Sequence, residues 1–481
     1  IPAMQRFLRR LNALLAEQPL FSWGKHRWAD LVLSIHWLYE RTGEDWLLSL
    51  AETVAAQGLD WRGHYERFPY TGKTAREDCT LVSHVVNSAM AIKTAGVWYR
   101  QSREAADRQG AYRAMEMLDR YHGQVTGVFT GDEHLAGRDP SQGTELCAVL
   151  EYLFSLEVLL AALGDPLLAD RLERIAFNAM PATFSPDMWA HQYDQQVNQV
   201  LAAVAEERVY TSNGADANIY GLQPNFGCCT ANLSQGWPKF AAHLWMGTPD
   251  GGVAAVGLAP SEARLAAGGT EVTVSCRTGY PFRERATITV RTGQAARFPL
   301  LVRVPAWAEG ATVAGEPATP GTFHRLERLW EGETEIAVAL PMRTRLERRY
   351  HGAVSILRGP LVYALRIGEE WRQIGGERPH ADWEVHPTTP WNFALAVDER
   401  DPERSLTWCA TQIGPTPFSP EGAPVRAQVV GRRLPGWALE RSAAGPLPHS
   451  PVTSSEPPET LTLIPYGCTN LRVGEFPLLG E

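Results

Sequence analysis

The sequence predicts a multidomain protein that is α-helical in its first half and all-β thereafter. Three observations predict it. At 481 residues the chain exceeds what one ordinary hydrophobic core organises, so two or three domains are expected. Up to about Gly247, apolar residues recur at helical spacing. Beyond it they alternate with polar residues in short runs bounded by Gly and Pro, the grammar of strands and turns. The expected domains are helical 1–246, β-sandwich 247–349, and a second β-rich domain with Pro-rich loops, 350–481.

Each helix has its own signal. "HRWADLVLSIHWLYERTG" and "DWLLSLAETVAAQG" carry apolar stripes and close on Gly. "LVSHVVNSAMAIKTAGVWYRQS", "EAADRQGAYRAMEMLDRYH", "TELCAVLEYLFSLEVLLAALG" and "PLLADRLERIAFNAMPATF" follow. Roughly eight to ten helices with short connections result, paired as in an antiparallel toroid or α-solenoid. The opening "IPAMQRFLRRLNALLAEQPL" reads as an amphipathic helix, too charged for a signal-peptide core. A chain that starts inside a helix leads us to expect helices missing before Ile1; the expected compartment is cytoplasmic. In the second half, "TEVTVSC", "RATITVRTG", "FPLLVRVPAW", "TEIAVALP" and "VSILRGPLVYAL" are strands of a β-sandwich. Residues 415–458 are rich in Pro and Ser and read as long loop, with "TLTLIPYG" a late strand.

Composition narrows the function. Apolar content of 44% and charged content of 21% are those of a soluble globular protein. A net charge of −9 without a basic run argues against a nucleic-acid partner. No apolar run approaches the ~18–20 residues that span a bilayer, so no membrane partner is expected. Oligomeric state is not legible. The seven cysteines are an odd number, and Cys79, Cys147, Cys276, Cys409 and Cys468 are scattered, unlike a disulfide framework. Cys228 and Cys229 are adjacent, and neighbouring cysteines rarely bridge each other without strain. Free or metal-bound thiols are expected.

Three places in the helical half hold chemistry-bearing groups. The loop "FTGDEHLAGRDPSQG" carries Asp132, Glu133 and His134. In "GTELC", Glu145 and Cys147 stand at i and i+2, with Thr144 as the expected N-cap of the helix that follows. A helix N-terminus favours both a carboxylate and a thiolate. In "PNFGCCTANLSQGW", "NFG" is a turn, and the two cysteines lie at or just before a helix start. Glu145, Cys147, Cys228 and Cys229 make a four-ligand set for Zn²⁺, three soft thiolates and a carboxylate. The same residues also fit a plain reading: Cys147 as a small buried apolar side chain, the cysteine pair as a packed turn, and Glu133 as a solvated loop acid.

"GTELCAVLEYLFSLE", "MWAHQYDQQVNQV" and "NFGCCTANLSQGWPKF" resemble glycoside hydrolase family 127, the β-L-arabinofuranosidase family, and its bacterial relatives formerly grouped as a domain of unknown function. "TGYPFRERATITV", "LLVRVPAW", "RLWEGETEIAVALPM" and "RGPLVYAL" are similar to the β-domains of that family. The resemblance implies an (α/α)6-barrel-type helical toroid, here incomplete at its N-terminus, followed by β-sandwich domains. It implies a retaining glycoside hydrolase that releases β-L-arabinofuranose or a related rare sugar from plant-derived oligosaccharides or glycosides. It assigns Glu145, Cys147, Cys228 and Cys229 to zinc, Cys228 also as nucleophile, and Glu133 as general acid/base, with Asp132 as the competing choice. Tyr193 resembles the active-site tyrosine and His84 a sugar-binding histidine. His191 and Gln192 flank Tyr193 and are candidates for sugar hydroxyls; His36 reads as structural.

The implied chemistry is physically coherent. A free thiol with a pKa of about 8.5 is mostly protonated at neutral pH, and a metal removes that proton without a separate base. Glu133 must carry a proton to release the leaving oxygen, then take one from water. Two other readings use the same residues: an α/α-toroid polysaccharide lyase working through Tyr193 and a histidine, and a non-catalytic carbohydrate-binding protein with a structural zinc site. The sixteen tryptophans suit a protein that stacks rings on sugars, although most are expected in the core.

Overall fold

The computed structural model describes residues 1–222 and 227–480. Among these, twelve α-helices precede the β-rich part: α1 Pro2–Leu15, α2 Ser22–His26, α3 Trp28–Thr42, α4 Trp46–Gln57, α5 Trp61–Glu66, α6 Val85–Ala91, α7 Thr94–Ser102, α8 Ala105–His122, α9 Leu146–Leu163, α10 Pro166–Arg174, α11 Gly227–Leu233 and α12 Gly236–Ala242. The turn read in "NFG" lies, for Asn225 and Phe226, outside the described residues.

Helix α9 organises the helical part. It packs against α6, α7, α10, α11 and α12. It ends on Gly164 with φ +66°, the left-handed C-terminus that glycine adopts without penalty. Its 18 residues have a mean hydropathy of 2.0, so it is long and apolar enough to cross a membrane, contrary to the expectation that no run approaches that length. The acids Glu151 and Glu157 interrupt the run on paper. The surrounding helices bury 78% of it, which makes it a core helix.

Two main sheets follow. In the first, Arg285–Val304 and Thr322–Ala339 run antiparallel, with a register break between Trp330 and Gly332. The break divides their work. Residues 286–292 pair with Thr270–Thr278, whereas 300–302 pair in parallel with Val253–Ala255. The second sheet has seven strands in the order Thr344–Arg348, Val354–Arg358, Leu361–Leu365, Pro458–Pro465, Val425–Arg433 and Phe393–Leu395, with Leu406–Ala410 also on Val425–Arg433. The strand Val425–Arg433 corrects the reading of 415–458 as loop. Its "VRAQVV" alternates buried and exposed residues, a period-two signal masked by its Pro- and Ser-rich flanks.

Polar clasps join the helical and β parts. Arg303, with no exposed surface, reaches Glu173 Oε1 at 2.5 Å and the Val256 carbonyl at 2.6 Å, and also pairs with Asp170 on α10. The run "QQVNQ", polar enough to be taken for surface, is buried from Gln195 to Gln199. The C-terminal segment supplies its partners. Gln199 Nε2 donates to the Asn470 carbonyl at 2.6 Å, Asn198 Oδ1 accepts from Gly474 and Glu475, and Arg472 donates to the Gln196 carbonyl at 3.1 Å. Without such partners each buried amide would cost about 1–3 kcal/mol. His243, just past α12, holds Nδ1 3.2 Å from Glu157 Oε2.

Two stability outcomes follow. Arg303→Leu leaves Asp170 and Glu173 buried without their counter-charge, and chemical denaturation should register a loss of about 3–5 kcal/mol. Burial disfavours the His243 cation, but the hydrogen bond and charge of Glu157 outweigh it and hold its pKa above the ordinary value. That stabilisation is complete below about pH 6.5, the unfolded value, and fades as pH rises through the folded one. The melting-temperature gap between wild type and His243→Gln should therefore be widest in mild acid and narrow as the pH is raised.

Candidate active site

The site hangs on a patchwork of backbone pairings at one end of α9. The Gly131 N–H donates to the Gly143 carbonyl at 2.7 Å, and the Glu145 N–H to the Gly131 carbonyl at 3.1 Å. Thr144–Glu145 then pairs with Asp194–Gln195, placing Glu145 opposite Asp194. On the other flank, Val85 N–H donates to the Glu133 carbonyl and Leu135 N–H to the Ser83 carbonyl. Four distant segments are thereby aligned, carrying His84, Glu133, Glu145 and Tyr193.

The N-cap of α9 is Glu145, not Thr144 as expected, because Thr144 and Glu145 are committed to the strand pairing. The chain turns from extended to helical between Glu145 and Cys147. Cys228 and Cys229 lie in the first turn of α11. Successive helix residues diverge by about 100°, so the two side chains leave the helix in different directions. Cys229 Sγ is buried, 3.5 Å from Cys147 Sγ and 3.9 Å from Cys228 Sγ, whereas Cys228 is exposed.

Ligand atoms of Glu145, Cys147, Cys228 and Cys229 all lie within 4.8 Å of one another, and this group could hold a metal ion. Glu145 Oε2 is buried without a hydrogen-bond partner among the described residues. Burial pushes the Glu145 carboxyl well up, with the charges of Glu133, Asp194 and Cys228 adding to it. The Cys228 thiol is pulled down because Cys147 and Cys229 hydrogen-bond to its sulfur. Cys147 is raised by giving that hydrogen bond, and Cys229 chiefly by burial. The metal-free cluster thus shares protons that a cation would displace. All seven cysteines are free.

Glu133 receives two donors. The Tyr193 hydroxyl donates to Oε1, and His84 Nε2 stands 3.0 Å from Oε2. His84 caps α6 by accepting the Asn87 N–H on Nδ1, which assigns the proton to Nε2 and aims it at the carboxylate. Tyr193 Oη also lies 3.7 Å from Cys228 Sγ, so one oxygen bridges the exposed sulfur and Glu133. Burial, then the charges of Glu145 and Glu133, push the Tyr193 hydroxyl up, keeping it a donor. Asp132 faces the other way. It is buried and accepts the backbone N–H groups of Thr211, Ser212 and Asn213 at 3.1, 2.6 and 2.8 Å. His191 is buried, with Nδ1 3.0 Å from the Gln192 carbonyl and Nε2 2.9 Å from Thr230 Oγ1, next to Cys229 on α11. Gln192 is buried and donates to the Asn218 carbonyl. His36 bonds Gln101 in the core.

Other residues belong to the site that sequence reasoning passed over. Asn232 donates from Nδ2 to Cys147 Sγ at 3.0 Å while Gln235 holds its Oδ1 at 2.8 Å. Its spacing three residues after Cys229 on a helix was the available signal. Trp23 sets its ring edge-on to His84 at 5.2 Å and is 44% exposed. Asp194, buried opposite Glu145, keeps its carboxyl well above the ordinary range through burial and the nearby Asp132 charge.

The family model described as β-L-arabinofuranosidase, GH127 catalytic domain, matches residues 6–242, and the GH127 middle-domain model matches residues 253–342. No curated protein matches the sequence. Among solved structures, the chain is similar to a GH127 β-L-arabinofuranosidase from Geobacillus stearothermophilus T6, with 19% identity and a TM-score of 0.64, covering 92% of this chain and 70% of that one. It is also similar to a structure described as a glycoside hydrolase, with 18% identity, a TM-score of 0.64, and coverage of 93% and 74%. A GH127 β-arabinofuranosidase aligns at 15% identity and a TM-score of 0.62, covering 93% and 68%. At these identities the likeness concerns the fold.

The proton-sharing cluster makes metal uptake pH-dependent. Calorimetric titration of the metal-free protein with a divalent transition metal, in buffers of different ionisation enthalpy, should count at least about one proton released per ion, with affinity falling as pH drops. Cys147→Ala and Cys229→Ala should each abolish stoichiometric binding. Uptake without proton release would exclude the thiols as ligands.

Proposed function

The chain belongs to glycoside hydrolase family 127, and from that premise we propose a zinc-dependent retaining glycosidase that uses Cys228 as nucleophile and Glu133 as acid/base. The glycoside hydrolase class comes with the family. The mechanism rests on one observation: of the four grouped ligand residues, only Cys228 is exposed, and it stands one phenolic oxygen from Glu133.

The donor set suits zinc, which takes thiolates and carboxylates in tetrahedral sites. Two thiolates on one tetrahedral zinc with bonds of ~2.3 Å stand about 3.8 Å apart. The sulfur separations of 3.5 and 3.9 Å agree with that spacing, and Glu145 Oε2, without a hydrogen-bond partner among the described residues, is the natural fourth ligand. When bound, zinc supplies a deprotonated cysteine at neutral pH.

The residues of this chain do the rest. Cys228 Sγ attacks the anomeric carbon, the glycosidic C–O bond breaks, and the Glu133 proton goes to the leaving oxygen. Glu133, now a carboxylate, deprotonates the water that displaces the thioether. Cys228 Sγ and Glu133 Oε1 both contact the Tyr193 hydroxyl, a separation short enough for both to reach one glycosidic bond, as a retaining mechanism requires. Tyr193 and His84 set both Glu133 oxygens and would meet the sugar hydroxyls. His191, buried and bonded to Thr230, holds the first turn of α11 and does not meet the sugar itself. Asn232 draws charge from Cys147 and orients its sulfur. The substrate that this family assignment favours is a β-L-arabinofuranoside of plant origin.

A mechanism-based furanosyl inhibitor should add one glycosyl mass, mapped by peptide mass spectrometry to Cys228; a label on a carboxylate would falsify the nucleophile. Glu133→Gln should lower kcat by about 10²–10⁴-fold on substrates with poor leaving groups, whereas with an activated aryl glycoside azide should restore part of the turnover and give the retained glycosyl azide.

A further inference from the structure

Next to the site lies a cavity that the reaction above does not use. It measures ≈ 500 Å³ and is lined by Trp189, Trp371 and Trp383 together with Asp187, Arg378 and Pro379. Trp189 is 50% exposed. Large exposed rings are held in place at a cost, so their support is informative. A hydrogen-bonded loop presents this one. The Ser185 hydroxyl donates to Asp187 Oδ1 at 2.6 Å, Asp187 Oδ1 accepts the Trp189 N–H at 3.1 Å, and the Ser185 N–H donates to the Ala190 carbonyl at 2.9 Å. Met188, at the loop tip, adopts φ +62°, a conformation that non-glycine residues rarely take.

The opposite wall comes from the β-rich part. Strands Glu369–Gly375 and Asp382–Pro387 form a hairpin carrying Trp371 and Trp383. The two rings meet edge-on at 6.3 Å, Arg378 covers Trp383 at 4.9 Å, and Trp371 Nε1 donates to Glu369 Oε2 at 3.1 Å. The hairpin is sewn to the catalytic machinery. Tyr220 and Trp383 exchange backbone hydrogen bonds of 3.0 and 2.7 Å, and Gly221 does the same with His191 at 3.0 and 3.2 Å. Trp189 precedes Tyr193 by four residues, so their Cα atoms are at most about 14 Å apart. The larger cavity, ≈ 820 Å³, begins on the far side of Pro186 and Trp371.

We infer that this tryptophan-lined cavity is a binding subsite for the leaving-group side of the substrate, an oligosaccharide whose sugar rings stack on Trp189 and Trp383 and whose hydroxyls meet Asp187 and Arg378. The chemistry selects a carbohydrate: flat apolar ring faces are combined with charged groups at the rim, on a loop only four residues from Tyr193 and a hairpin tied through Tyr220 and Gly221 to His191. The inference rests on the glycosidase reading and adds what that reading lacks, a reason for this enzyme to prefer a long glycan over a small glycoside.

The test compares two substrates in wild type, Trp189→Ala and Arg378→Ala. One is p-nitrophenyl β-L-arabinofuranoside, which ends before the trough. The other is an arabinan tetrasaccharide capped with β-L-arabinofuranose. Trp189→Ala should lower kcat/KM for the tetrasaccharide on the order of tenfold, the worth of one well-placed ring contact, and leave the aryl glycoside within about twofold. Equal effects on both substrates, or none on either, would overturn the subsite. So would a dimer seen by analytical ultracentrifugation that Trp189→Ala dissociates while the kinetics stay unchanged. If wild type turns over neither substrate, the glycosidase reading with this sugar fails on its own. The trough is then judged by tryptophan fluorescence with the tetrasaccharide: saturable quenching that Trp189→Ala removes supports it, and no quenching rejects it.

Discussion

Four groups that gain negative charge on losing a proton are held within 4.8 Å of one another, and most of the surrounding architecture serves that crowding. Left alone, Glu145, Cys147, Cys228 and Cys229 would repel once deprotonated, so the apo cluster keeps protons on its buried members. A dication removes the conflict and turns repulsion into binding. The cluster is therefore held together by the fold first. Helix α9 brings one pair of ligands, α11 brings the other, and neither helix could gather all four.

The geometry divides the labour between two adjacent cysteines. Helical rotation sends Cys229 inward to Cys147 and leaves Cys228 facing outward beside Tyr193. A buried thiol and an exposed one are thus obtained from consecutive residues. The backbone pairings among residues 83–85, 131–135, 143–145 and 193–195 supply the complementary half, since they set Glu133, His84 and Tyr193 without relying on side-chain packing alone.

Much of this was legible before the structure. The change of apolar period near Gly247 separated helices from strands, and the E-x-C and Cys-Cys pairs pointed to one four-ligand group. Family resemblance, not spacing, distinguished Cys228 from Cys229 in role. The choice between Asp132 and Glu133 was open in the sequence, because adjacent residues in extended chain face opposite ways and only the partners decide which way is inward. Those partners, the amides of Thr211, Ser212 and Asn213, lie some eighty positions downstream. The strand Val425–Arg433 was hidden for a related reason: its flanks dominate a window average. The burial of the glutamines and asparagine at 195–199 was not legible at all, since nothing local shows that a polar run will be buried by amides from residues 470–475.

That last arrangement bears on the order in which the protein is made. A ribosome delivers the helical half first, and domains commonly fold as they emerge. Here Gln196, Asn198 and Gln199 pair with groups 276, 276 and 271 residues further along the chain. The buried run at 195–199 therefore gains its full set of partners only after both sheets have been synthesised.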